Sequence, residues 1–292
     1  MSNNFLNTPK RSRKPRNIGL TSLIDNGVPT RYFTDVIESS PDLIDVVKFG
    51  WCTGIVTPDL EKKIQCLLDH HVEYYFGGTL FEKALSQNKL EDFYHFVKQF
   101  DCKIVEISDG TLTIPMAEKA KHIRDFASEF HVISEVGKKD IHEADNMPVS
   151  AWIEEILSDL AAGAEKVILE SRESGMSGIC DASGNLRAGL VDGITGSKFR
   201  ITDAIWEAPT KKLQTILIST LGPNVNLGNI AFGDVIALET LRLGVRSDTF
   251  HLFDETGEDY ALAKTGRLKF THPDMRKTQG FLAQRLHERQ QS

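Results

Sequence analysis

Eight short apolar runs alternate with longer stretches of helical spacing along this chain, and that rhythm predicts a closed (β/α)8 barrel, an α/β fold in a single domain. Two further observations agree. The 292 residues fit one barrel with extensions, and charged or amide side chains gather at the C-terminal ends of the runs, where a barrel builds its active site.

The expected strands are residues 17–24, 43–49, 72–76, 103–108, 131–136, 166–170, 202–207 and 224–227. The expected helices include 58–70, 90–100, 115–130, 149–162, 209–220 and 232–243. Several open at or just after proline, whose fixed φ suits a first turn, and Ala162-Gly163 reads as a helix stop. The chain therefore divides into a basic flexible tail (1–16), a barrel (17–250) and a C-terminal extension (251–292) with a short helix expected over 278–289. Lys10, Arg11, Arg13, Lys14 and Arg16 of the opening segment read as solvated charge.

Composition narrows the function classes. With 40% hydrophobic and 26% charged residues the chain can bury a sizeable core unaided. Its net charge of -7, from 34 basic against 41 acidic side chains, argues against nucleic-acid or anionic-membrane partners and points to small molecules. Cys52, Cys66, Cys102 and Cys180 form no CxxC pair and read as reduced thiols. No apolar run reaches membrane-spanning length and the opening residues lack a signal-like segment, so a soluble cytoplasmic protein is expected, as a homo-oligomer. Trp51, Trp152 and Trp206 read as core or rim packing, and no histidine is assigned to catalysis.

The strand ends carry the chemistry. Asp25 follows the first run, Lys48 lies near the end of the second, and Gly77-Gly78-Thr79 follows the third. Glu106, Ser108 and Asp109 close the fourth; Glu135, Lys138 and Lys139 the fifth; Glu170, Arg172 and Glu173 the sixth; Glu207 the seventh; Asn224, Asn226 and Asn229 surround the eighth. Side chains two apart share a strand face, so Glu106 goes with Ser108, Glu135 with Gly137 and Lys139, and Glu170 with Arg172. Converging carboxylates repel unless a cation intervenes, and oxygen donors without His or Cys suit a hard ion such as Mg²⁺. Gly78 and Thr79, and the Asn229 turn, could offer backbone N–H groups to a phosphate at a helix start.

These segments resemble the phosphosulfolactate synthase family over Gly19 to Phe250. The match runs through Gly19-Leu-Thr with Asp25 and Gly27, Val47-Lys48-Phe49-Gly50-Trp51, Gly77-Gly78-Thr79-Leu80-Phe81-Glu82 and Val105-Glu106-Ile107-Ser108-Asp109-Gly110. It continues with Glu135-Val-Gly-Lys-Lys139, Glu170-Ser-Arg172-Glu173-Ser-Gly175, Trp206-Glu207-Ala-Pro209, and Asn224 through Asn229, Glu239 and Arg242 to Arg246-Ser-Asp248-Thr249. Cys52, Met176 and Ser247 depart from the family's usual residues. The resemblance implies the same barrel and a carbon-sulfur lyase that adds sulfite to phosphoenolpyruvate with Mg²⁺, a step of coenzyme M and other sulfonate biosynthesis. It implies Lys139 as general acid, with Lys48, Glu135 and Arg172 also catalytic. Metal ligands are expected among Glu106, Asp109, Glu170 and Glu207, and substrate contacts from Gly78, Thr79, Lys138, Asn226, Asn229 and Arg246. The rival expectations are another Mg²⁺-dependent phosphoenolpyruvate or aldol-type barrel lyase, and a non-catalytic stress-associated protein on the same scaffold.

Overall fold

In the computed structural model, which describes residues 5–138, 147–171, 174–181 and 183–253, every named strand pairs in parallel. The strands are β1 (Thr21–Asp25), β2 (Val46–Phe49), β3 (Glu73–Phe76), β4 (Ile104–Ile107), β5 (His131–Val136), β6 (Lys166–Leu169), β7 (Ala204–Glu207) and β8 (Leu227–Ile230). Their spatial order is β3-β2-β1-β8-β7-β6-β5-β4, so the sheet curls round until β3 meets β4. No ladder joins those two strands. Across this seam the Cys102 thiol donates to the Tyr74 carbonyl at 3.4 Å, and the backbone N–H of Gly78 donates to Glu106 Oε1 at 2.7 Å. The structure is the expected (β/α)8 barrel in nearly closed form.

Ten helices surround the sheet among the described residues: α1 (Thr30–Ser39), α2 (Thr53–Val56), α3 (Leu60–Asp69), α4 (Gly78–Ser86), α5 (Leu90–Gln99), α6 (Met116–Ala127), α7 (Val149–Ala162), α8 (Ala188–Thr195), α9 (Lys211–Leu221) and α10 (Val235–Arg242). Pro29, Pro115 and Pro148 stand immediately before α1, α6 and α7. Gly163 ends α7 in the left-handed conformation at φ 118°, as the Ala162-Gly163 pair predicts. Thr210 caps α9 by accepting from the N–H of Leu213. The eighth strand lies three residues later than its sequence suggests, at Leu227–Ile230.

Alternation along each strand sorts the side chains. Phe49, Phe76 and Trp206 face the helices, where the tilted rings of Phe33 and Phe232 lie 4.8 Å apart and Phe49 and Phe76 stack at 5.6 Å. Trp152 is likewise fully buried, whereas Trp51 is half exposed. Burial of aromatic and branched side chains between sheet and helices supplies most of the driving force for the fold. The opposite face carries Lys48, Glu106, Glu135 and Glu207 into the barrel, as the ion pairs among them require. Among the described residues no helix is long and apolar enough to cross a membrane. No disulfide joins the four cysteines, and burial pushes the thiol of Cys102 up to about 12 and that of Cys180 up to about 11.

The basic opening corrects an expectation. Rather than trailing in solvent, Arg11 and Arg16 strap the N-terminal end of the barrel. Arg16 forks onto Asp45 at 2.8 Å, and Arg11 pairs with Glu239 at 3.0 Å while donating to the Pro223 carbonyl and the Asn224 side chain. Deeper still, Arg242 donates to the carbonyls of Pro223, Val225 and Leu20. Orphan carbonyls at the strand starts explain this: buried acceptors without partners are costly, and guanidinium forks satisfy several at once. Arg11→Ala is expected to cost roughly 2 kcal/mol in a urea titration. Arg13→Ala, at an exposed neighbour, should change stability by less than about 0.5 kcal/mol; equal effects would contradict the strap. The helix expected over 278–289 lies outside the described residues.

Candidate active site

Four of the eight strands deliver a glutamate to the C-terminal mouth, and a fifth delivers a lysine. Glu106 comes from β4, Glu135 from β5 and Glu207 from β7, with Glu170 directly after β6; all four are buried. Lys48 of β2 reaches among them, its Nζ lying 3.1 Å from Glu106, 3.5 Å from Glu135 and 3.7 Å from Glu207. Burial works against the Lys48 charge, but Glu106, Glu135 and Glu207 prevail and hold its pKa well above the ordinary lysine value. Lys48 thus stays cationic at neutral pH.

One ammonium among four carboxylates leaves an excess of negative charge. Glu106 meets it partly by holding a proton: burial, opposed by Lys48 and assisted by Glu135, pushes its carboxyl up to about 7. The folded protein therefore keeps a proton that the unfolded chain releases near the ordinary value of 4.5. Stability contributed by this group is lost as pH rises from that value through about 7. Glu106→Gln, which still accepts from Gly78, should flatten the fall in melting temperature between about pH 5 and pH 7.5. An unchanged slope would place the titration elsewhere.

The other three carboxylates form a set. Glu135, Glu170 and Glu207 bring one oxygen each within 4.8 Å of one another, a buried all-oxygen trio that could hold a metal ion. Asn229 and Ser171 fix one member: Asn229 Nδ2 donates to Glu207 Oε1 at 2.5 Å, and the N–H of Ser171 to Glu207 Oε2 at 3.1 Å. Asn229 reaches down from a left-handed backbone, φ 54°, that asparagine tolerates better than most residues.

The remaining expected site residues fall variously. Glu106 and Asp109, expected as metal ligands, stand apart from the trio because their oxygens are engaged elsewhere. Glu106 takes Gly78 and Lys48, and Asp109 takes Lys119 at 3.0 Å and Lys138 at 2.5 Å. Gly78 opens α4 as expected, but its N–H is committed to Glu106; Thr79 follows it in the first turn. Asn226 sits at the opposite end of the barrel, donating to the carbonyls of Thr202 and Ala204, so the shift of β8 removes it from the mouth. Arg246 pairs with Asp248 at 3.3 Å, and Lys211 shares that carboxylate at 3.0 Å. Asp25 accepts Lys63 and the N–H groups of Gly27 and Val28, a structural anchor for its loop. Lys139, Arg172 and Glu173 lie outside the described residues.

Sequence reasoning missed Lys119 and Asp159, which are buried against each other at 2.9 Å behind β5. A signal was present. Lys119 shares the apolar stripe of Ile123 and Phe126 on α6, and Asp159 that of Trp152 and Ile156 on α7. A charge on a buried stripe needs a partner.

A parallel barrel that buries a ring of carboxylates and a lysine at its C-terminal mouth defines a barrel enzyme. The sequence profile described as (2R)-phospho-3-sulfolactate synthase matches residues 9–248. The phosphosulfolactate synthase of Bacillus subtilis is 52% identical over 252 residues, which is 86% of this chain and 100% of the relative. Those of Methanothermobacter thermautotrophicus and Methanocaldococcus jannaschii are 39% and 40% identical, over 83% and 80% of this chain and 95% and 94% of theirs. The chain belongs to the phosphosulfolactate synthase family.

Proposed function

We propose that this enzyme is a carbon-sulfur lyase that adds sulfite to phosphoenolpyruvate to give (2R)-2-O-phospho-3-sulfolactate, with Mg²⁺ as cofactor, in the cytoplasm. The buried trio Glu135, Glu170 and Glu207 beside Lys48, in a chain of this family, carries the reading. Carboxylate oxygens without His or Cys suit a hard ion, so the donor set fits Mg²⁺. When bound, Mg²⁺ would supply Lewis-acid stabilisation of negative charge on the substrate carboxylate.

The protein's own part follows from charge. Sulfur attacks the methylene carbon, the double-bond electron pair moves towards the substrate carboxylate, and C2 then takes a proton. Lys48, held cationic, offsets the charge that grows in the first step. Lys139 is the proposed proton donor to C2, on its strand parity with Glu135. Arg172 and Lys138 are proposed for the sulfite or phosphate oxygens, with Gly78, Thr79 and Asn229 lining the phosphate side and Arg246 as a more distant charge. No bond to phosphorus breaks and no covalent enzyme adduct is required.

Purified protein incubated with phosphoenolpyruvate, sulfite and Mg²⁺ should yield the phosphorylated sulfonate by mass, and a chelator should abolish it. Product that persists in the chelator would remove the metal from the reading. Consumption of phosphoenolpyruvate without sulfite incorporation would replace the nucleophile. A folded protein with no turnover under any of these conditions would favour the non-catalytic scaffold.

A further inference from the structure

Behind the mouth lies a second buried charge cluster that the proposed reaction does not use. Lys119 of α6 directs its ammonium to three acceptors: the backbone carbonyl of Glu135 at 2.7 Å, Asp109 Oδ1 at 3.0 Å and Asp159 Oδ2 at 2.9 Å. The carbonyl accepts a hydrogen bond and the two carboxylates form ion pairs with the same ammonium, from the end of β5, just past the end of β4 and the last turn of α7. The side chains of Lys119, Asp109 and Asp159 are all buried. Asp109 uses its other oxygen for Lys138, two residues beyond β5. Asp159, Lys119, Asp109 and Lys138 therefore form one chain from the helix layer to the rim of the mouth.

We propose that Lys119, braced by Asp159 and Asp109, is a positioning residue that fixes the C-terminal end of β5, and with it the Glu135 carboxylate and Lys138. The inference rests on the synthase reading for its activity readout. Gluing α6 to α7 would not by itself call for these charges, because an apolar pair of similar volume serves as well and avoids desolvating three ions. An apolar pair could not grip the Glu135 carbonyl or orient Asp109 towards Lys138. Those two tasks distinguish the charged cluster. Both act on the strand whose side chain joins the metal-competent trio.

The test replaces the pair together, as Lys119→Met with Asp159→Leu, which leaves Asp109 its partner Lys138. Three quantities are measured on the full chain: the thermal midpoint, backbone amide exchange over residues 131–138, and kcat and KM for phosphoenolpyruvate with sulfite and Mg²⁺. Positioning predicts a folded protein with faster exchange at the strand end, and a kcat lowered roughly tenfold or more while KM stays within about threefold. A folded double variant with kcat within about twofold of wild type overturns the proposal. If the double variant does not fold, Asp159→Asn, which loosens the brace but keeps Lys119 on Asp109, is read by the same criteria. Should the wild type itself turn over no phosphoenolpyruvate, the synthase reading falls and exchange alone decides: faster exchange over 131–138 sustains positioning, unchanged exchange overturns it.

Discussion

Lys48→Met is expected to lower kcat by about 10²–10³-fold and to make the protein sharply less stable above neutral pH. The variant leaves Glu106, Glu135 and Glu207 facing one another without the ammonium that now lies within 3.7 Å of each. Uncompensated buried charge of this kind costs about 3–5 kcal/mol. Protonation relieves it. Carboxylates whose folded pKa is raised bind protons that the unfolded chain has released, so their contribution to stability is present at low pH and lost as pH rises through the raised value. Glu106 already stands at about 7 with Lys48 in place, and removing the lysine drives it further up. Urea titrations at several pH values between about 5 and 8 should therefore show the variant close to wild type at the acid end and well below it at the alkaline end. Parallel stability curves would mean that Lys48 does not neutralise the ring.

The second large effect is expected at Gly178, which follows β6 and lies against its end. A Cβ there would stand 1.9 Å from the carbonyl oxygen of Glu170 and 2.7 Å from its carbon, and the residue's φ of 66° is strained for any side chain. Backbone cannot yield as a flexible side chain does. The contact is functional in position, because Ile179 donates to that same Glu170 carbonyl at 2.9 Å and Glu170 belongs to the trio. Gly178→Ala should cost about 3 kcal/mol or more, a drop of roughly 6–12 °C in Tm. Gly189→Ala is the control: it lies in α8 with nothing within 4 Å of a new Cβ, and should be neutral or stabilising by about 0.5–1 kcal/mol. Equal Tm values for the two variants would contradict the packing.

Much of the barrel was legible because its strands are short, β-branched or aromatic, and bounded by turns; β5 and α7 match their expected limits residue for residue. The eighth strand was displaced because Leu227–Ile230 contains Gly228 and Asn229, which have poor strand preference, and its place is set by pairing with β1 and β7 instead. Helices α1 and α8 escaped notice for a similar reason. The first carries four β-branched residues, Thr30, Thr34, Val36 and Ile37, and the second carries Gly189 and Gly193, so packing rather than propensity makes them helical. At the site, position near the strand ends brought Lys48 and the four glutamates to one mouth, since each lies in the last two residues of a strand or directly after one. Which carboxylates group together was not readable, because that depends on partners from distant parts of the chain: Gly78 claims Glu106, while Lys119 and Lys138 claim Asp109.

The seam between β3 and β4 gives the cylinder one joint that backbone pairing does not lock. Gly78 and Glu106 act as its clasp, so a residue of the reaction chamber also fastens the wall. Sliding one wall edge past the other would breach no ladder, whereas widening the chamber elsewhere would tear a row of paired strands. An effort to adapt this enzyme to bulkier substrates would begin at that clasp, trading some rigidity of closure for room.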